Sequence, residues 1–265
     1  MKNSILQNIH AECPWRDTLH WFETIDSTNT YAKSLAAQGA PEGTVIIAGH
    51  QSGGRGRMGR TFDSRKGMGV YLSLILRPDC TPGDLMHLTC AAAVAMVNAI
   101  EDVAGFSPGI KWTNDLVYGK RKLGGILTEL GLDPITGRVS YAVIGIGINC
   151  LQKPKDFPEE LQSFAGSLSM AAGNTVLPEK LAGAMVTRLF EMNRQLFRKH
   201  ELMESYKKHC MTLGQNIRLC RGDEVFYGKA LGLTEEGELI VEFADGNVKA
   251  VGSGEVSVRG MYGYS

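Results

Sequence analysis

Residues 51–69 carry an unusual mixture of glycine and basic side chains. Glycine lets backbone N–H groups come close to a ligand, while arginine supplies a fixed charge and forked donors suited to carboxylate or phosphate. The pattern predicts an anion-binding loop, although a solvated basic loop or an RNA-binding arm is the plainer alternative. The alternating residues are Gly53, Gly54, Arg55, Gly56, Arg57, Gly59 and Arg60, followed by Arg65 and Lys66.

Two apolar, β-branched runs flank this loop at residues 44–50 and 69–77. Both have strand length, so the loop should connect two strands of a sheet. A loop held by a rigid sheet is a usual place for binding chemistry.

A second group of polar residues crowds a predicted hairpin at residues 109–130, which is otherwise apolar. Lys111, Trp112, Asn114, Asp115 and Lys122 lie there within twelve positions. A charged hairpin tip would explain them without any function. The group could equally supply charge to the same ligand as the loop.

Glycines also interrupt the predicted strand 138–149, where Gly145 and Gly147 alternate. Glycine weakens a strand unless a ligand or another backbone must approach closely, and a bulge is the alternative. Further upstream, Asp26 and Ser27 precede an apolar helical pattern, so a helix N-cap explains that cluster on local grounds.

The element pattern divides the chain into three parts. Residues 1–18 are short and mixed, and we interpret them as a leader. Residues 19–211 alternate strand and helix patterns and include the loop and the hairpin. Residues 212–265 change to short strands with turns, which predicts a small barrel.

The composition is that of an ordinary soluble globular protein. Of 265 residues, 43% are hydrophobic and 21% charged, and 28 basic side chains balance 28 acidic ones. This balance gives no overall field towards nucleic acid or an anionic membrane. No stretch looks like a membrane span. Six scattered cysteines lack metal-site spacing and predict reduced thiols and a cytoplasmic protein.

Five motifs in this order resemble the biotin protein ligases: DSTN at 26–29, GRGRMGR at 54–60, KWTNDL at 111–116, KLGGIL at 122–127 and GIGIN at 145–149. The segment GEVSVR at 254–259 resembles the end of that family's C-terminal barrel. The resemblance implies an α+β fold, with a central mixed β-sheet flanked by helices as in class II synthetases and lipoate ligases. A small SH3-like barrel should follow it.

The resemblance also implies an activity. Members of the family join biotin to ATP, forming biotinyl-5′-AMP and pyrophosphate, and then pass biotin to one lysine of a biotin carboxyl carrier protein, a subunit of acetyl-CoA carboxylase or a related enzyme. Magnesium would be held through the phosphates, with no direct protein ligand required. The chain looks like the short form without an N-terminal DNA-binding domain, so we expect no nucleic-acid or membrane partner and no repressor function. A homodimer is compatible with the family.

Residue roles follow from the matching positions. The resemblance implies catalytic roles for Lys122, Arg57 and Asp115, with Lys122 where biotin's carboxylate meets the α-phosphate. The residues implied for biotin are Ser27, Thr28, Gln51, Gly54, Arg55, Arg57, Lys122, Gly125, Gly145 and Gly147. Those implied for the nucleotide are Arg57, Arg60, Phe62, Asn114, Lys122 and Asn149.

One departure and two rivals accompany this interpretation. Many relatives have Trp-Phe where this chain has Phe62-Asp63, so the aromatic surface expected over adenine is smaller. A lipoate protein ligase is the first rival, but lipoate has no ureido group to pair with the polar cluster around Thr28 and Gln51. A biotin-sensing regulator without enzymatic activity is the second.

Overall fold

A seven-stranded mixed sheet forms the centre of the computed structural model, which describes residues 1–253 and 257–259. The strand order is 1-2-3-7-6-5-4. The first two strands pair in parallel and all other neighbours are antiparallel. This sheet confirms the predicted fold class. Its strands are β1 (Leu19–Phe22), β2 (Val45–Ala48), β3 (Gly69–Leu76), β4 (Gly109–Lys111), β5 (Asp115–Tyr118), β6 (Arg121–Leu132) and β7 (Val139–Asn149).

Helices cover both faces of this sheet. One of them packs on β3 and β7, while two long ones pack on each other and against the opposite face. Leu181, Met185, Leu189 and Met192 are buried on one side of the second long helix. The helices are α1 (Lys2–Gln7), α2 (Thr28–Ala37), α3 (Leu88–Ala104), α4 (Leu168–Ala172), α5 (Pro178–Arg194) and α6 (Lys199–His209).

The stretch Pro82–Ala104, which contains α3, corrects one expectation. By length and composition alone it could cross a membrane, contrary to the sequence interpretation, yet 72% of its apolar window is buried inside the molecule. Apolar burial on all sides is how a helix in the core of a globular domain satisfies its surface.

Residues 1–18 are built into the core and do not stand apart as a leader. Ile5, Ile9 and Trp15 are buried in the main hydrophobic cluster, and α1 packs on α5. The contact is close, because a Cβ on Gly183 of α5 would lie 2.5 Å from backbone atoms of Asn8.

Residues 109–118 form two strands where the sequence predicted one. The segment Trp112–Thr113–Asn114 interrupts them, with a cis peptide bond between Trp112 and Thr113, and β4 pairs with β5 across it. Distant groups hold the turn. Thr212 Oγ1 accepts from the Trp112 backbone N–H at 2.9 Å, the Gly237 carbonyl accepts from the indole N–H at 2.9 Å, and the Tyr206 hydroxyl donates to the Thr113 carbonyl at 3.0 Å.

The C-terminal part is a five-stranded antiparallel sheet with order 11-10-9-8-12, which confirms the small β domain predicted at the end of the chain. Its inner face joins the main core without a break, through Ile217, Leu219 and Val241. Of the motif at 254–259, residues 254–256 lie outside the described residues. The strands are β8 (Asn216–Arg221), β9 (Glu224–Leu233), β10 (Leu239–Phe243), β11 (Val248–Val251) and β12 (Ser257–Arg259).

The hydrogen bond between the Trp112 indole and the Gly237 carbonyl should contribute to stability. Trp112→Phe keeps most of the buried ring but leaves the Gly237 carbonyl without its donor, so the free energy of unfolding should fall by about 1–3 kcal/mol. Urea denaturation followed by far-ultraviolet circular dichroism measures it. Trp21→Phe is the matched control, because Trp21 is only half-buried and its indole makes no hydrogen bond among the described residues. Equal losses in the two variants would contradict the role of the Trp112 hydrogen bond.

Candidate functional site

A cavity of about 580 Å³ lies between the loop that joins β2 to β3 and the face of the central sheet. All the site residues predicted from the sequence line it except Gly54. The segment 157–165 and Val258 of β12 complete its wall. The predicted residues at the lining are Ser27, Thr28, Gln51, Arg55, Arg57, Arg60, Phe62, Asn114, Asp115, Lys122, Gly125, Gly145, Gly147 and Asn149.

A β-bulge places Lys122 in this cavity. Leu116 of β5 pairs with Gly124, but the next residue, Val117, pairs with Lys122, so Leu123 is the extra residue on β6. Without the bulge, Lys122 and Gly125 would point to opposite faces, because they are an odd number of residues apart. With the bulge, Lys122 Nζ lies 2.6 Å from Asp115 Oδ1. The Lys122 side chain is 31% exposed and the Asp115 side chain 23% exposed.

Arg57 reaches the same region from the loop. Its guanidinium donates to Asn114 Oδ1 at 2.9 Å and lies 3.4 Å from Thr113 Oγ1. It also donates to the backbone carbonyl of Ser253, in the turn after β11. Burial lowers the pKa of Arg57, while Asp115 acts in the opposite direction. Arg57 and Lys122 therefore place two positive charges beside Asp115, in a half-buried setting that suits an anion.

The loop itself folds back as a small hairpin. Phe62 donates its N–H to the Gly54 carbonyl at 3.0 Å, and Gly56 donates to the Arg60 carbonyl at 2.7 Å. Gly54 is buried beneath this hairpin, where a Cβ would lie 2.5 Å from the Phe62 carbonyl. A glycine is thus needed at position 54, where two backbone segments approach closely. Arg60 is exposed at the tip of the hairpin.

The Phe62 ring covers Gly147. A Cβ on Gly147 would lie 2.8 Å from two ring carbons of Phe62, and the ring also meets Tyr71 edge to face at 6.2 Å. The resemblance placed Phe62 on the nucleotide side and Gly147 on the biotin side. The two are in contact in the structure, so they serve one part of the cavity.

Gln51 and Thr28 form the polar end of the cavity. Ser27 caps α2 by accepting from the Thr30 N–H at 3.4 Å, which confirms the predicted cap and turns the next residue inward. The Thr28 backbone N–H donates to Gln51 Oε1 at 2.8 Å. A backbone N–H can only donate, so this contact fixes which atom of the Gln51 amide is oxygen. The NH₂ group of Gln51 is then left as a donor.

A chain of oxygen atoms runs from Gln51 into the sheet. Gln51 Oε1 lies 3.0 Å from Thr28 Oγ1, which lies 2.8 Å from Ser73 Oγ, which in turn lies 2.6 Å from Asn29 Oδ1. Ser73 is fully buried in β3. The outer two atoms are amide oxygens that only accept, and each hydroxyl carries a single proton. Three contacts thus share two protons, and the chain is one proton short.

Glu129 of β6 fixes the far end of the chain. The Asn29 NH₂ group donates to Glu129 Oε2 at 2.9 Å and lies 3.4 Å from the Leu127 carbonyl, so the Asn29 oxygen faces Ser73. Lys33 Nζ contacts Glu129 Oε1 at 2.6 Å. Desolvation opposes ionisation of Glu129, but the hydrogen bonds from Lys33 and Asn29 together outweigh it and hold its pKa below the usual value.

Gly145 makes room for this arrangement. A Cβ at Gly145 would overlap the side-chain amide of Asn29. The sequence interpretation assigned this glycine to the approach of a flat ring, whereas the structure fills the space with Asn29. Gly125 differs, because a Cβ there would only touch Lys122 and Asp115 at 3.4 and 3.5 Å, which is ordinary van der Waals contact.

Asn149 is occupied by structural partners. Its side-chain NH₂ donates to the Gly166 carbonyl at 3.0 Å, and its oxygen accepts from Gln152 at 3.0 Å. It therefore holds Gly166, in the segment just before α4, against the end of β7 at the edge of the cavity.

Three residues of the site escaped sequence reasoning in whole or in part: Asn29, Ser73 and Glu129. Asn29 was visible within DSTN but was interpreted as part of a helix cap. Ser73 is the one small polar residue in the apolar strand GVYLSLIL, and Glu129 is the one acidic residue in KLGGILTEL. A lone polar residue within a buried strand was the available signal, since buried polar groups require partners.

Within residues 1–253 and 257–259, no three His, Cys, Asp or Glu side chains are grouped so that they could hold a metal ion.

Two family models match the chain. The biotin/lipoate A/B protein ligase family matches residues 21–149, the part that holds the loop and the cavity face of the sheet. The biotin protein ligase C-terminal domain matches residues 212–259, the second sheet.

Similar proteins agree with these matches. The bifunctional ligase/repressor BirA of Bacillus subtilis is 40% identical over 248 residues, covering 91% of this chain and 74% of the relative. The biotin--[acetyl-CoA-carboxylase] ligase of Mycobacterium tuberculosis is 27% identical and is covered over 92% of its length. The solved biotin protein ligase of Aquifex aeolicus in complex with biotin and ATP superimposes with a TM-score of 0.76 at 28% identity, covering 91% of this chain and 98% of that one. The chain thus belongs to the biotin protein ligases, and it is a biotin ligase that uses ATP.

Proposed function

We propose that this chain forms biotinyl-5′-AMP from biotin and ATP in the cavity described above, and then transfers the biotinyl group to one lysine of a biotin carboxyl carrier protein. One observation carries the proposal. A polar chain that lacks a proton and a pair of positive side chains border the same cavity. Leu127 and Gly145 pair beside the polar chain, and Gly125 and Gly147 pair one step closer to Lys122. Each such step is about 7 Å along the strands.

The polar end suits the ureido ring of biotin. An N–H donor placed against Thr28 Oγ1 and Gln51 Oε1 would supply the proton that the oxygen chain lacks, and the Gln51 NH₂ group can donate to a carbonyl. A ureido ring offers two N–H donors and one carbonyl. The dithiolane ring of lipoate offers none of these, so it would leave the buried acceptors unpaired. This supports biotin over lipoate at the proposed ring site.

The positive end suits the reacting groups. With its ring at Thr28, biotin's carboxylate would lie towards Lys122, and Lys122 and Arg57 would hold it against the α-phosphate of ATP. A carboxylate oxygen forms a bond to that phosphorus, and the bond from phosphorus to pyrophosphate breaks. Two anions meet in this step, so fixed positive charge lowers the barrier by bringing them together and stabilising the developing charge. Asp115 orients Lys122 for it.

The second step transfers the biotinyl group. The neutral amine of a carrier lysine attacks the carbonyl carbon of the mixed anhydride, the amide bond forms, and AMP leaves with the electrons of the broken C–O bond, while the amine's proton is released. The Asp115 carboxylate is suited to orient the incoming side chain. The relatives named biotin--[acetyl-CoA-carboxylase] ligase support a carrier domain as the acceptor.

The residues on the nucleotide side are assigned from their match to the family's motifs. Arg60 at the loop tip and Asn114 beside Arg57 would serve the phosphates and sugar, and Asn149 would shape the edge of the site. Magnesium, when bound through the phosphates, would neutralise part of their charge. Phe62, in contact with Gly147, would pack on the biotin ring system.

The cellular location and the oligomeric state are also part of the proposal. We propose a cytoplasmic enzyme, supported by six cysteines that form no disulfide, and a homodimer stays compatible with the family. The expectation that the chain binds no DNA stays a prediction, and the Bacillus subtilis relative is named as both ligase and repressor.

Pyrophosphate exchange tests the first step directly. The protein is incubated with ATP, Mg²⁺ and labelled pyrophosphate, with either biotin or lipoate. Label should enter ATP with biotin only. For the second step, a biotin carboxyl carrier domain should gain one biotinyl group by mass spectrometry, and a carrier with its target lysine changed to arginine should not. Exchange driven by lipoate, or modification of the arginine carrier, would overturn the proposal.

Thr28→Val tests the ring site. The change preserves size and the backbone N–H but removes one hydroxyl of the oxygen chain. We expect the KM for biotin to rise about ten- to a hundredfold, with the KM for ATP nearly unchanged. Thr30→Val is the matched control on the same helix, since Thr30 is exposed. A shift in ATP affinity instead would place the ring elsewhere.

Lys122→Ala tests the charged end. Removing one preorganised electrostatic group should slow single-turnover adenylate formation by about 10²- to 10³-fold, while biotin binding weakens much less. Lys120→Ala removes an exposed lysine two positions away and should leave the rate unchanged. Near-normal adenylate formation by the Lys122 variant would exclude its proposed role.

A further inference from the structure

Glu129 borders the site without lining the cavity. Its carboxylate lies on β6 between Lys33 Nζ at 2.6 Å and the Asn29 NH₂ group at 2.9 Å. Arg55 of the loop lies 4.0 Å from the same oxygen that Lys33 contacts. Its side chain is 22% exposed. The group is thus tied to a helix, to the loop and to the oxygen chain at once.

The chemistry of the carboxylate decides how Asn29 is oriented. An ionised carboxylate only accepts hydrogen bonds, so the NH₂ group of Asn29 must face Glu129 and its oxygen must face Ser73. Ser73 then has to donate to Asn29, so the single hydroxyl proton of Thr28 is left for its two contacts, with Ser73 and with Gln51. Whichever contact takes that proton, the missing proton is at Thr28, where a ligand in the cavity can supply it.

We propose that Glu129 is a positioning residue for biotin, which sets the direction of the Asn29–Ser73–Thr28–Gln51 hydrogen-bond chain so that the site demands an N–H donor. The inference rests on the ring site proposed above. This role of Asn29 also explains the glycine at position 145, because only a residue without Cβ leaves room for the Asn29 amide there.

A glutamine at position 129 would behave differently. Its amide oxygen could keep the contact with Lys33, and its NH₂ group would then face Asn29. Asn29 would flip to accept from it, and would donate to Ser73 with its own NH₂ group. Three protons would then serve three contacts, and the chain would be complete without a ligand. The shape of the site would be almost unchanged, but its demand for an N–H donor would be lost.

The test compares Glu129→Gln with wild type in steady-state adenylation. We expect the KM for biotin to rise about ten- to a hundredfold, with the KM for ATP and the kcat close to wild type. Glu129→Asp keeps an acceptor-only group and should recover part of the biotin affinity. Glu191→Gln is the control, because Glu191 is also a carboxylate in an ion pair, with Arg188 at 2.8 Å, on α5.

Two methylated biotins, each carrying a methyl group on one of the two ureido nitrogens, provide a readout that a merely structural role would not move. Wild type should discriminate strongly against the one that lacks the N–H facing Thr28. Glu129→Gln should discriminate at least about fivefold less, because its chain no longer needs that proton. Equal discrimination by the two enzymes would overturn the proposal.

A second variant covers the case in which Glu129→Gln fails to fold. Gly145→Ala displaces the Asn29 amide without touching Glu129, and should raise the KM for biotin in the same way. If Thr28→Val raises the KM for biotin but Glu129→Gln and Gly145→Ala leave it within about twofold, the role of Glu129 is wrong and the ring site stands. If Thr28→Val also has no effect, the ring site itself is wrong.

Discussion

Buried polar atoms must find hydrogen-bond partners, and in this molecule that requirement joins the loop, helix α2 and the central sheet into one unit. The Gln51 amide, the Thr28 and Ser73 hydroxyls and the Asn29 amide come from three different parts of the chain, yet each is placed by the next. The network is incomplete only at the cavity. In the proposed ring site, selectivity for biotin therefore arises from an acceptor within the protein that lacks a proton.

The register of the sheet positions the reacting end in a comparable way. Gly125 and Gly147 are paired across β6 and β7, and the bulge at Leu123 brings Lys122 to the same face as Gly125 and Asp115. A shift of one residue on either strand would remove the cation from the cavity and present Leu123 instead. The bulge brings Lys122 to this face of the sheet, and the two glycines leave space beside it.

The loop, the fold class and the charged and glycine residues central to the cavity could be predicted from the sequence, because they lie in local motifs that resemble a known family. Glycine and arginine alternate within seven positions at 54–60, and Ser27 is typical of the residue that caps the start of a helix. The break at Trp112 could not be predicted, because its partners Thr212 and Gly237 lie 100 and 125 residues away. Glu129 escaped for the same reason. Nothing near it in the sequence shows that Lys33, Asn29 and Arg55 converge on its carboxylate.

The turn at Trp112 is closed by Thr212 and Gly237 of the C-terminal part, and Arg57 donates to the Ser253 carbonyl of the same part. The wall of the cavity is consequently assembled from both ends of the chain, although the side chains proposed to be catalytic lie in the first part. The two parts are therefore poor candidates for exchange as modules between relatives. A hybrid that joined this catalytic part to another enzyme's tail would need the contacts at Thr212, Gly237 and Ser253 to match, and a mismatch there would look in an assay like a defect in chemistry.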